Sequence, residues 1–240
     1  VRVRSRCATQ SRSLHSAAST GFSLLLRGQH GSFRGYSPIS KMAGECDMIA
    51  VGLRNDLRQI DFDPEIIVLN LHGNYLSSLR GLPVLHHLTE LNLSSNRFVS
   101  CELPELAFMS CLKALDLSGN RIDSLYYLPF LPGLKVLSVC FNQIRSLAGL
   151  SENTPDLVDL DIRGNLVENV ASIQELVELK SLRRLWIGGR QPNPICVGGK
   201  EGIEGLCKLF ASCEMLESID GKDEQEWRDS LETHNRRIGD

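Results

Sequence analysis

LTELNLSSN, residues 88–96, decides how the rest of the chain is read, because its pattern LxxLxLxxN returns at nearly constant spacing. It recurs as IIVLNLHGN from Ile66, LKALDLSGN from Leu112, LKVLSVCFN from Leu134 and LVDLDIRGN from Leu157. A sixth copy, LRRLWIGGR from Leu182, keeps the apolar positions but ends in Arg190. Successive copies are offset by 22, 24, 22, 23 and 25 residues. Self-similarity at a period of about 20–50 residues is the mark of a solenoid, whose repeats bury their apolar faces only against one another.

Within each copy the stretch xLxLx alternates, which predicts a short strand with its leucines on one face. The pairs are Leu69/Leu71, Leu91/Leu93, Leu115/Leu117, Leu137/Val139, Leu160/Ile162 and Leu185/Ile187. At about 1.5–3 kcal/mol per fully buried side chain, a stack of such pairs dominates stability. Conformational entropy opposes it on a similar scale. Asn74, Asn96, Asn120, Asn142 and Asn165 stand where the chain turns inward after each strand. A buried amide can donate and accept, so these five are read as a structural ladder that satisfies turn backbone, not as ligands.

The return halves carry leucines three apart, as in Leu76, Leu79, Leu82 and Leu85, or Ile122, Leu125, Leu128 and Leu131. That spacing predicts short helices or 3₁₀ turns, while Pro83, Pro129 and Pro132 disfavour long helices. The expected class is therefore α/β: a solenoid with a curved parallel sheet on its concave face and short helices or 3₁₀ turns on its convex face. Four segments follow. Residues 66–192 are six repeats, 45–65 an N-terminal cap of helix and edge strand, and 193–240 a C-terminal cap and charged tail. Residues 1–44 form an arginine- and serine-rich leader.

The leader holds seven of the 26 basic residues and none of the 29 acidic ones. It reads either as a mitochondrial-type targeting segment, or as a disordered or upstream stretch before Met42-Ala43-Gly44. From Glu45 onward 19 basic residues face 29 acidic ones, a net of −10. An acidic body argues against direct nucleic-acid binding. No stretch supplies the roughly 18 apolar residues of a membrane span. The eight cysteines include no CxxC pair and several occupy small or apolar repeat positions, so reduced, structural cysteines in an intracellular protein are expected.

The chain resembles leucine-rich-repeat proteins of the protein phosphatase-1 regulatory type. The resemblance rests on N-x-I/L-x-x-L-x-x-L repeats, the NPxC of Asn193–Cys196, and the Leu216…Ile219-Asp220-Gly221 ending. The same repeat class and cap occur in an axonemal dynein light chain, other ciliary proteins, a spliceosomal U2 component and acidic nuclear phosphoproteins. The resemblance spans about 57–221 and implies a leucine-rich-repeat solenoid; members share architecture and differ in partner. Arg190-Gln191-Pro192, inserted before the NPxC, departs from the pattern.

Function is expected at the strand positions that point away from the core. The surface assigned to a protein partner is Asp116, Val136, Ser138, Cys140, Asp159, Asp161, Arg163, Arg184 and Trp186. Trp186 among arginines has the composition of a binding hot spot, or else covers the core beneath the cap. Asp116, Asp159 and Asp161 serve recognition or solubility, without a ligand cage for a metal. No catalytic residue, cofactor or metal is assigned. Cys140 is exposed by register but without a base, and the register sets no serine, cysteine or carboxylate constellation beside His72. The expectation is a non-catalytic scaffold or assembly subunit of a larger intracellular complex, such as a ciliary axoneme. The alternatives are a regulatory subunit docking on a phosphatase, or a component of an RNA–protein particle. A cytoplasmic, ciliary or cytoskeletal location goes with the first, and a mitochondrial one with a genuine targeting leader.

Overall fold

The structure, a computed structural model, describes residues 44–229 other than 56 and 198. The chain divides into units 1–36 and 37–240, and every described residue belongs to the second. The leader expected over 1–44, apart from Gly44, lies outside the described residues, as does the tail beyond 229.

Eight strands form one all-parallel sheet in sequence order. They are β1 (Glu45–Asp47), β2 (Val68–Asn70), β3 (Glu90–Asn92), β4 (Ala114–Asp116), β5 (Val136–Ser138), β6 (Asp159–Asp161), β7 (Arg184–Trp186) and β8 (Ser218–Ile219). The register runs straight through the repeat, Leu69 against Leu91, Leu115, Leu137, Leu160, Leu185 and Ile219. Each strand is three residues or fewer because only xLx stays extended before the chain turns inward. The alternating leucines, with Leu88, Leu112, Leu134, Leu157 and Leu182, are buried in one continuous core. This is the leucine-rich-repeat solenoid expected from the repeat, with one strand more at each end than the six copies supply.

The turn after each strand is closed by an asparagine. Asn120 Oδ1 accepts from Phe98 N at 2.9 Å, and its Nδ2 donates to Leu93 O at 3.0 Å and Leu117 O at 2.9 Å. Asn74, Asn96, Asn142 and Asn165 repeat this arrangement on their own neighbours. Each amide thus joins its own turn to the previous repeat. In the sixth repeat Arg190 cannot serve, and Asn193, three residues later, takes the place. Its Oδ1 accepts from Val167 N at 3.0 Å, and its Nδ2 donates to Ile162 O and Ile187 O at 2.8 Å. The insertion displaces the ladder residue along the sequence but not in space.

The convex side differs from the expectation of a helix or 3₁₀ turn in the first and third repeats. Their return halves are turns and bends only. These are the 22-residue repeats, too short to close the circuit with a helical detour. The longer second and fifth repeats hold nine-residue 3₁₀ segments, Ser100–Phe108 and Val170–Glu178, and the fourth holds one α-turn, Leu150–Asn153. Each 3₁₀ segment sends a glutamate back to the preceding repeat. Glu105 accepts from Ser78 Oγ at 2.7 Å and Leu79 N at 2.5 Å, and Glu175 from Gly149 N at 2.9 Å.

At the N-terminal end β1 and a single 3₁₀ turn, Leu57–Gln59, carry Cys46, Met48, Leu57, Ile60 and Phe62 onto the core. At the other end lie the short helix Pro194–Val197, the helix Lys200–Ser212 and β8. Residues 224–229 are helical, and Trp227 packs back with its Nε1 donating to Ile219 O at 3.0 Å. Among the described residues no helix is long and apolar enough to cross a membrane.

Candidate functional site

The concave sheet is built from three columns of side chains that the register sets side by side. One runs Val68, Glu90, Ala114, Val136, Asp159, Arg184; the next Asn70, Asn92, Asp116, Ser138, Asp161, Trp186. The third, just beyond the strands, runs His72, Ser94, Ser118, Cys140, Arg163, Gly188. Strand neighbours stand about 4.8 Å apart, close enough for these columns to bond across repeats.

Three of the nine positions expected to face a partner are instead buried: Ser138, Cys140 and Asp161. Period-two alternation gives the side of the sheet but not what stands over it, and at the middle of a concave face short side chains sink beneath longer neighbours. The Ser138 hydroxyl donates to Ser118 Oγ at 2.7 Å and stands 3.7 Å from Cys140 Sγ. Burial, with Asp161 nearby, pushes the Cys140 thiol up to about 11, the reverse of an activated nucleophile. Ser118 in turn donates to Asp116, whose carboxyl is raised by burial and drawn part of the way back by those bonds.

Asp159 and Asp161 are already engaged. Arg184 grips Asp159 through Nε and Nη2, the latter at 2.6 Å. Arg163 holds Asp161 through Nε at 3.0 Å and Nη2 at 2.6 Å. Such two-pronged pairs fix both partners in one geometry. The Arg163 guanidinium then lies 5.3 Å from the Trp186 ring centroid. On the cap side, a Cβ at Gly221 would stand 3.7 Å from Trp186 Cη2, so the ring also reaches the turn after β8. Trp186 is thus part packed against the cap and part open, its ring held by Arg163. Val136, Asp159, Arg163, Arg184 and Trp186 form the half-buried outer layer of the site.

His72 has a neighbour that its column already contained. Its Nδ1 lies 2.7 Å from Ser94 Oγ, whose own proton goes to Asn92 Oδ1 at 2.6 Å. The register thus sets a serine beside His72, not a catalytic constellation. With the single hydroxyl proton given to Asn92, His72 donates through Nδ1–H and is no base toward Ser94, which is itself buried. Among the described residues no three His, Cys, Asp or Glu side chains converge on a metal-sized site.

Two features escaped the repeat pattern. Phe141 stands just after β5 at φ 57°, where the equivalent Gly119 and Gly164 adopt φ 65° and 67°. It keeps a 41% exposed ring in a left-handed backbone that costs a bulky residue about 1–2 kcal/mol. Its ring covers Gly164, so close that a Cβ there would stand 2.6 Å from Phe141 Cδ1. The signal available in the sequence was the aromatic in CFN where other copies read SGN or RGN. On the opposite, convex side Val84, Phe108 and Phe130 take corresponding places in the first three repeats, with Phe108 69% and Phe130 63% exposed. The residue before the last apolar position of each return (LPVL, LAFM, LPFL) carried that signal.

A Leucine Rich Repeat family model matches residues 87–109. The 187-kDa microtubule-associated protein AIR9 of Arabidopsis thaliana is 38% identical over 93 residues, 39% of this chain and 5% of that protein. The human geranylgeranyl transferase type-2 subunit alpha is 35% identical over 130 residues, 53% of this chain and 23% of that protein. The match thus spans under a quarter of either relative. Among solved structures, the Drosophila melanogaster SNF/U2A′ complex superposes with a TM-score of 0.43 and 24% identity, covering 52% of this chain and 69% of the other. Listeria monocytogenes InlP does so with 0.46 and 24%, covering 58% and 38%.

Proposed function

We propose that this chain is a non-catalytic protein-binding scaffold or assembly subunit, and that its partner docks on the concave face between β4 and β7. The observation that carries this reading is the Asp161–Arg163–Trp186 assembly. An aromatic ring is presented half-open on a rigid sheet, its flanking charges already neutralised, so little ordering remains to be done when a partner arrives. Asp159–Arg184 beside it and the strained Phe141 ring one strand before Arg163 extend the same surface.

A larger intracellular complex is the setting proposed, with a ciliary or cytoskeletal one first. Two things support it: the resemblance of repeat and cap to the type found in an axonemal dynein light chain, and the microtubule-associated relative. The acidic body favours a protein partner over RNA. The test is affinity purification with mass spectrometry on the full chain and on a Val136→Arg/Trp186→Ala double variant, which leaves the buried Ser138, Cys140 and Asp161 untouched. Loss of the specific partners from a variant that still melts cooperatively as a folded protein is expected. A partner set that survives both changes would overturn the concave-face assignment.

A further inference from the structure

The two halves of the concave sheet differ in how their charges are satisfied. On β6 and β7 each aspartate holds its own arginine. On β1 to β4 stand Glu45, Asp47, Glu90 and Asp116, and among the described residues no ion pair offsets any of them. Lys135 and Arg183, on the rim outside the strands, are taken by Asp156 and Glu217. Lys113 sits on that rim too, one residue before β4.

Glu90 is the centre of this half. It stands on β3 between two short neighbours, Val68 and Ala114, with Glu45 in the same column two strands away. Its Oε2 is closed to water and has no hydrogen-bond donor, the one such buried side-chain atom among the described residues. An unsatisfied buried acceptor costs about 1–3 kcal/mol, more when charged. Glu90 as a whole is only half-buried, so a cation arriving on the open sheet meets its carboxylate at the other oxygen, Oε1, which is neither closed off nor bonded.

We propose that the concave partner of this protein carries a basic segment, and that an arginine or lysine of that segment docks on Glu90, over Val68 and beside Glu45. The inference rests on the concave-face reading and adds the chemistry of the occupant. Complementarity is one-sided: among the described residues the β1–β4 half has carboxylates without ion-pair partners, so an acidic segment is repelled there and a basic one is drawn in.

Burial, and then Glu45, hold the Glu90 carboxyl above the ordinary carboxylate range. The folded state therefore binds this proton more tightly than the unfolded chain. The stability so gained is complete below the ordinary value and is lost as pH rises through the raised one. Glu90→Gln removes a desolvated charge at neutral pH, so the variant is expected to melt no lower than the parent at pH 7, and its binding can be read without loss of fold.

The experiment uses the full chain and a fluorescent peptide with arginines at alternate positions in alanine, against a glutamate counterpart. A photoreactive group on the peptide reports where it sits. The arginine peptide is expected to bind, to be weakened by raising salt from about 50 to about 300 mM, and to lose affinity about tenfold or more with Glu90→Gln. Asp156→Asn on the rim should leave it unchanged. Equal binding of both peptides, or of the parent and Glu90→Gln, would overturn the inference. If the crosslinks still fall on β4–β7, the concave-face reading stands without it; crosslinks on the convex turns overturn both.

Discussion

Asn120 shows how one side chain can hold two repeats. Its amide satisfies one backbone N–H and two carbonyls across the junction of the second and third repeats. Asn120→Leu keeps volume but orphans the Phe98 N–H and removes one of the two amide donors on Leu93 O and Leu117 O, which keep Asn96 and Asn142, so a loss of about 1–3 kcal/mol is expected in urea melts. Asn193→Leu should cost as much, because it makes the same bonds. The five regular asparagines were legible from LxxLxLxxN; Asn193 was not, since a three-residue insertion moves it out of register with the pattern. Burial at Ser138, Cys140 and Asp161 was hidden for another reason. Alternation gives direction, while depth depends on what the neighbouring strands place above. Phe141 makes the reverse point, an aromatic kept where its own backbone opposes it. Phe141→Asn, which tolerates the left-handed region, should leave stability unchanged or raise it by up to about 1 kcal/mol while weakening partner binding. A large destabilisation would show instead that the ring holds the fold through Gly164.

The elements of the convex side follow repeat length. Both 22-residue repeats return through turns, the 23-residue repeat adds one α-turn, and the 24- and 25-residue repeats each add a nine-residue 3₁₀ segment. Extra residues have nowhere to go on the sheet side, where the strand register is continuous, so they coil on the outside. The spacing of three runs unbroken through the first and third repeats but breaks between Phe98 and Leu103 in the second and at Thr154 in the fourth, and the offsets between copies carried the same signal. Glu105 and Glu175 tie the added segments back to the repeat before. Glu105→Ala should cost about 1–3 kcal/mol by leaving Leu79 N–H without its acceptor. The exposed Glu178→Ala, at the end of the second such segment, should change stability by less than about 0.5 kcal/mol.

For the molecule as a whole, the repeats account for a curved sheet and one continuous core, and the added strands β1 and β8 with their caps close its ends. Nearly all of that was written in apolar spacing. The site was written less plainly, because a solenoid frees its outward positions from any structural demand. What the structure adds is a division of that face. One half holds Trp186 among satisfied ion pairs, and the other holds carboxylates around Glu90 that no ion pair offsets among the described residues. The convex side offers a rival in Val84, Phe108 and Phe130, exposed in successive repeats. Hydrogen–deuterium exchange of the full chain, alone and bound to its purified partner, separates the two faces most directly. Protection concentrated on the strands and the turns that follow them, from Glu90 to Gly189, is the predicted result. Protection confined to the return segments around Phe108 and Phe130, with the strands unchanged, would contradict it.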